Sequence, residues 1–175
     1  MAATHGIIFD LDELLVNSTH IWRAAETRML AAMGHEWTAD LARHYKGMNV
    51  ADVAAAAWRL LQPAEPVQHY QNLLRRALID EYAAAEVPPM DGAIDLVRRL
   101  HGLAPMAVAS GSPAEAIELA LDRLDIRGCF ETIVSSESVQ RGKPAPDVFL
   151  RAAECLKAQP ACCLVFEDSL HGVRA

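Results

Sequence analysis

The chain opens on an apolar run, Gly6-Ile7-Ile8-Phe9, that breaks at once into acidic residues, the pattern of a buried strand ending at a polar site. From Ser18 the period changes. Ile21, Trp22, Ala25, Met29 and Ala32 recur at helical spacing and stop at Gly34, a natural C-terminal cap. A second helix is predicted from Thr38 to about Tyr45. A third is capped by Asn49, with Val50, Val53, Ala54, Ala57, Leu60 and Leu61 on one face, and a fourth runs from about Pro66 to Ala85. This block of about seventy residues carries no strand signal. Val87-Pro88-Pro89-Met90-Asp91-Gly92 punctuates the chain, and afterwards the rhythm alternates. A helix over 93–100 leads to the apolar run Met106-Ala107-Val108-Ala109. Ser112-Pro113-Ala114-Glu115 reads as a capping box opening a helix to about Leu124. Thr132-Ile133-Val134 is a third strand, a helix follows from Pro146 to about Lys157, and Cys162–Phe166 is the last strand. Alternating strand and helix predicts an α/β fold: a Rossmann-like parallel sheet with helices on both faces, and an all-helical unit inserted after the first strand.

Composition narrows the partners. The 175 residues are 52% hydrophobic and 22% charged, as in an ordinary globular protein. A formal charge of −7 argues against nucleic acid and anionic membranes, which need a basic face. It leaves an anionic small substrate open, because a bound metal and a placed cation override the global field locally. No uncharged run approaches the ~20 residues of a membrane span. The first residues lack the basic and apolar regions of a signal peptide, and the four cysteines show no zinc or disulfide spacing. The expectation is a cytoplasmic protein, a monomer or weak homo-oligomer.

In an open parallel sheet, ligands bind beyond the carboxyl ends of the strands. Those ends are Asp10-Leu11-Asp12, Ser110-Gly111-Ser112 and Glu167-Asp168, with Lys143 in the loop after the third strand. Four carboxylates at one rim cannot all ionise without a cation. Mg²⁺ with oxygen ligands and a phosphate resolves this. Lys143, the Ser110 hydroxyl and backbone N–H groups near Gly111 suit the phosphoryl oxygens. Of two acids spaced i, i+2, one can attack phosphorus while the other holds a proton for the leaving alkoxide and takes one from water. Ser112 has a sufficient structural role as a helix cap.

Phe9-Asp10-Leu11-Asp12 with Leu15-Val16-Asn17-Ser18, then Val108-Ala109-Ser110-Gly111-Ser112, Gly142-Lys143-Pro144-Ala145-Pro146-Asp147, and Phe166-Glu167-Asp168-Ser169 with Gly172, resemble the four motifs of the haloacid dehalogenase superfamily. More narrowly, the chain resembles its phosphatase and β-phosphoglucomutase branch. The resemblance implies a catalytic core of residues 1–16 and 91–175 and a helical cap of 17–90. It makes Asp10 the nucleophile, Asp12 the general acid/base whose backbone carbonyl also binds metal, and Ser110 and Lys143 the phosphoryl holders, while Glu167 and Asp168 complete the Mg²⁺ site with Asp10, Asp168 being the surer ligand. The implied activity is Mg²⁺-dependent hydrolysis of a small phosphorylated metabolite, a sugar phosphate, through an aspartyl phosphate. A sugar phosphomutase and a disabled phosphate or metal binder are the alternatives.

Within the cap, Trp22 and Lys46 are the candidate substrate contacts. The mutases of this branch carry histidine at the position of Trp22 and an arginine shortly after a Lys-Gly pair, whereas here Lys46-Gly47-Met48-Asn49 leads to Val50. Both differences favour a phosphatase. Glu13 stands where the family usually has glycine. An extra carboxylate there should weaken anion binding unless it points away. Relatives usually continue past Ala175 with another strand and helix, so the C-terminal part of the core is expected to be missing and a sheet edge uncovered.

Overall fold

The computed structural model describes residues 5–45 and 47–175. Strand β1 (Gly6–Phe9) is followed by four helices: α1 (Thr19–Ala32), α2 (Ala39–Arg43), α3 (Val50–Leu61) and α4 (Val67–Ala84). Then come α5 (Ala93–Leu100), β2 (Met106–Ser110), α6 (Ala114–Arg123), β3 (Thr132–Ser135), α7 (Asp147–Cys155), β4 (Cys163–Phe166) and α8 (Leu170–Arg174). The predicted elements form where the apolar periods place them. Thr38 and Asn49 act as the expected caps, accepting from Leu41 N–H and Asp52 N–H.

All strand pairs are parallel, in the order β3-β2-β1-β4. The chain steps from β1 through β2 to β3, then returns past β1 to place β4 on its other side. That reversal makes the carboxyl ends of β1 and β4 the crevice of the sheet. Alternation along the central strands sends side chains to two layers. Ile7, Phe9, Met106 and Val108 share a core with Val97 of α5 and Ala116, Ile117 and Ala120 of α6. Ile8, Ala107 and Ala109 pack on the other face against Val148, Phe149, Ala152 and Ala153 of α7. Edge strand β4 is the barest, with Leu164 55% and Val165 38% exposed.

The helical block joins the sheet through two short crossing segments. Asn17 N–H donates to Pro88 O and Met90 N–H to Leu15 O. Its own core is built by Ile21, Ala25, Met29 and Leu30 of α1 against Leu74, Ala77 and Leu78 of α4, all fully buried. The turn before α3 presses on two glycines of the sheet unit. A Cβ at Gly111 would lie 3.2 Å from Asn49 Cα, and one at Gly142 would overlap the Asn49 amide. Arg75 of α4 reaches across to Glu115 at 2.7 Å and Glu137 at 2.6 Å.

One expectation about a cap fails. Helix α6 begins at Ala114 with no side-chain cap. The Ser112 hydroxyl instead donates to Asp12 Oδ2 at 2.7 Å, because an acceptor carboxylate delivered by β1 outcompetes the helix end.

Candidate active site

Asp10 leaves the end of β1 as a buried carboxylate, 5% exposed. Lys143, equally buried, donates to Asp10 Oδ1 and to Glu167 Oε2, both at 2.6 Å. Burial works against the ammonium, but the two carboxylates outweigh it and hold the Lys143 pKa above its usual value. The Asp10 pKa is raised, first by burial and then by the charges of Glu167 and Asp12, with Lys143 pulling the other way. One lysine does not balance this group of acids. Glu167 is spent on structure as well: Oε1 accepts from Ser169 N–H at 3.1 Å and its hydroxyl at 2.6 Å. Any Cβ at Gly172 would overlap that carboxylate, which gives the glycine of the last motif a steric reason.

Asp10, Glu167 and Asp168 each offer a carboxylate oxygen, and these lie within 4.8 Å of one another. Hard oxygen donors at that spacing fit Mg²⁺ better than a soft metal. The raised Asp10 pKa points the same way, since a divalent cation there would return the carboxylate to its ionised form.

The Asp12 carboxylate is held by a separate set of donors. Oδ1 accepts from Trp22 Nε1 at 2.7 Å and Tyr82 Oη at 2.6 Å. Oδ2 accepts from Ser112 at 2.7 Å and Ser110 at 3.3 Å. Burial, then the Asp12 charge, pushes the Tyr82 phenol well above its ordinary pKa, so it stays a protonated donor. Ser110 is fully buried, and its hydroxyl also accepts from Ser112 N–H at 3.0 Å.

Glu13 adopts the left-handed φ of 61° that suits glycine. Its carboxylate turns to the start of α1, where Oε1 accepts from the N–H groups of Ser18 and Thr19 at 2.8 Å each. A fixed anion thereby caps orphan donors at the positive end of the helix.

A cavity of about 320 Å³ opens above the rim, lined by Asp10, Asp12, Trp22, Gly111, Lys143, Glu167 and Asp168. All the residues singled out in the sequence are thus brought together, apart from Ser110, which sits beneath Asp12, and Lys46, which lies outside the described residues. This volume is at the small end for ligand sites and suits a small molecule.

Residues 4–175 match the haloacid dehalogenase-like hydrolases. The chain belongs to that family. It is 31% identical to the fructose-1-phosphate phosphatase YqaB of Escherichia coli K12, over 97% of this chain and 89% of that protein. It is 29% identical to hexitol phosphatase B of the same organism, over 96% of this chain and 77% of that one. The solved structure of CbbY from Rhodobacter sphaeroides in complex with phosphate shares the fold, with a TM-score of 0.86 at 24% identity, over 98% of this chain and 80% of that one. Like other haloacid dehalogenase-like hydrolases, this one combines a parallel sheet with helices, and the two relatives from Escherichia coli are phosphatases.

Four residues at the cavity or beneath it went unread in the sequence. Tyr82 continues the inward face of α4 one turn beyond Leu78, and Ser112 was assigned to a cap. Glu26 is an acid on the apolar stripe of α1, four residues after Trp22, and Tyr45 ends the segment after α2. A charged residue on an apolar stripe was the available signal.

Proposed function

We propose that this chain is a Mg²⁺-dependent phosphomonoester hydrolase of small phosphorylated metabolites, sugar or polyol phosphates, acting through an aspartyl phosphate. The observation that carries it is the buried Lys143 bridging Asp10 and Glu167 beside the separately held Asp12. In this reading residues 1–16 and 91–175 are the catalytic core and 17–90 the cap, which encloses a small leaving group. The fructose-1-phosphate and hexitol phosphatases among the relatives support that substrate class.

Asp10, Asp168 and the Asp12 backbone carbonyl would hold the metal, with Glu167 at its edge; bound there, Mg²⁺ neutralises phosphoryl charge and keeps Asp10 ionised. Lys143, aided by the backbone around Gly111, draws the phosphoryl oxygens towards Asp10. An Asp10 carboxylate oxygen attacks phosphorus in line, forming the acyl phosphate as the ester P–O bond breaks. The Asp12 carboxyl gives its proton to the departing alkoxide, then takes one from the water that attacks the acyl phosphate and frees inorganic phosphate.

Trp22 can only donate, and it holds Asp12 Oδ1 as an acceptor. Trp22 therefore acts here as a positioning residue for the acid. Glu13 lines the cavity too, but its carboxylate is tied to the start of α1.

Among the described residues no helix is long and apolar enough to cross a membrane. The four cysteines are free, which supports a cytoplasmic setting. The test is phosphate release from a panel of sugar, polyol and carboxylate phosphates, with Mg²⁺ and with chelator. Metal-dependent turnover is expected; binding of the esters without turnover would defeat the reading.

A further inference from the structure

The cavity has a second polar wall, supplied by the helical block. It is made by Glu26 of α1, Trp37 before α2, and Tyr45 after it. Glu26 is 8% exposed, and Trp37 Nε1 donates to its Oε2 at 2.7 Å. That bond fixes the carboxylate plane and leaves Oε1 without a donor among the described residues. Tyr45 is only 2% exposed, and its hydroxyl is the one buried side-chain polar atom among the described residues with no hydrogen-bond partner. Buried polar atoms in native proteins almost always find partners, and Tyr45 is among the residues that line the ligand cavity, so its orphan hydroxyl marks a place for one.

We propose that Glu26 and Tyr45, with Trp37 orienting the carboxylate, form a hydroxyl-recognising subsite that makes neutral polyhydroxylated monophosphates the substrate class. The inference rests on the phosphatase reading and adds the leaving-group end to it. A substrate hydroxyl donates to Glu26 Oε1 and a neighbouring one pairs with Tyr45 Oη, which can donate or accept. The wall carries both signs: beside Glu26, the cavity is lined by Arg43 and by Arg23, whose guanidinium sits 4.5 Å from the Trp37 ring centroid. A neutral hydroxyl group can pair with either sign, so it suits this wall better than a second phosphate or an amine, each of which meets a like charge. The two polar groups also sense each other: after burial itself, the Glu26 charge is what pushes the Tyr45 phenol pKa upward.

The experiment compares kcat/KM for a six-carbon polyol monophosphate with that for p-nitrophenyl phosphate, in wild type, Tyr45→Phe, Glu26→Leu and Glu26→Gln. The ratio of the two is expected to fall roughly ten- to a hundredfold in Tyr45→Phe and Glu26→Leu, as for a lost hydrogen bond to a buried group, with Glu26→Gln in between. A ratio that stays constant, through equal losses or none, would overturn the subsite. So would a wild type that prefers phosphoethanolamine or a sugar bisphosphate to the polyol phosphate. If wild type cleaves neither ester, the phosphatase reading fails on its own. Calorimetric titration of the polyol phosphate into wild type and Tyr45→Phe then decides the subsite: weaker binding in the variant upholds it, and equal binding overturns it.

Discussion

The rim of the sheet and the roof of the cavity solve opposite problems. At the rim, charge is concentrated and paired: Lys143 lies 2.6 Å from both Asp10 and Glu167, and every strand end contributes a group. At the roof, a buried carboxylate has a tryptophan as its donor and a tyrosine hydroxyl has no partner. The rim is built for one anion whatever molecule bears it, while the roof's polar atoms are left for whatever enters. Chemistry that is common to all substrates can be rigid and charge-dense, whereas selection needs groups that the ligand completes.

The sharpest way to break this contrast is Lys143→Ala. Removing the lysine strands Asp10 and Glu167 in a buried setting, and a loss of about 3–5 kcal/mol in denaturant unfolding is expected, together with loss of turnover. A small change in stability would mean that the rim is less tightly coupled than its geometry indicates.

Glu26 supplies the matching test at the roof. Burial lifts its pKa from 4.5 to about 7, against the bond from Trp37. A raised acid binds its proton more tightly folded than unfolded. The fold therefore loses stability as pH rises from about 4.5 to 7, and the penalty is complete above that. The wild type should lose at most about 3 kcal/mol across this window relative to Glu26→Gln, read from unfolding curves at several pH values. Parallel pH profiles for the two proteins would remove the buried charge from the account.

Smaller effects separate positioning from packing. Tyr82→Phe deletes one donor to Asp12 and should cost about 1–2 kcal/mol of stability. Its kcat should fall more than its KM rises, because Asp12 acts in the chemical step. Glu13→Gly exchanges a helix-end anion for relief of a left-handed φ. The two terms are each about 1 kcal/mol and opposed, so the melting temperature should barely move. At the surface, Arg75→Ala breaks the bridge to Glu115 and Glu137 and should change stability by less than about 1 kcal/mol, with the difference vanishing in high salt.

The same contrast explains what could be read in advance. The sheet announces itself through short apolar runs that end in acids, so Asp10, Asp12, Lys143, Glu167 and Asp168 could be gathered at one rim from chain order alone. The helices were equally visible from their period. The polar contacts between the two units were not. Ser112 looked sufficient as a helix cap because its competing acceptor, Asp12, lies a hundred residues away in sequence. Trp22 could be named as a contact, but its bond to Asp12, like that of Tyr82, depends on how the helical block sits over the rim. Glu13 looked hostile to an anion until the fold turned its carboxylate to the N-terminus of α1.

The central claim is that the phosphoryl group passes through Asp10. Acid-quenched single turnovers with a polyol phosphate and Mg²⁺, followed by mass spectrometry of the peptide containing Asp10, test it most directly. The account predicts a transient phosphoryl adduct on Asp10 that precedes phosphate release, and neither adduct nor release in Asp10→Asn. Release of phosphate by the Asp10→Asn variant at the wild-type rate would contradict it.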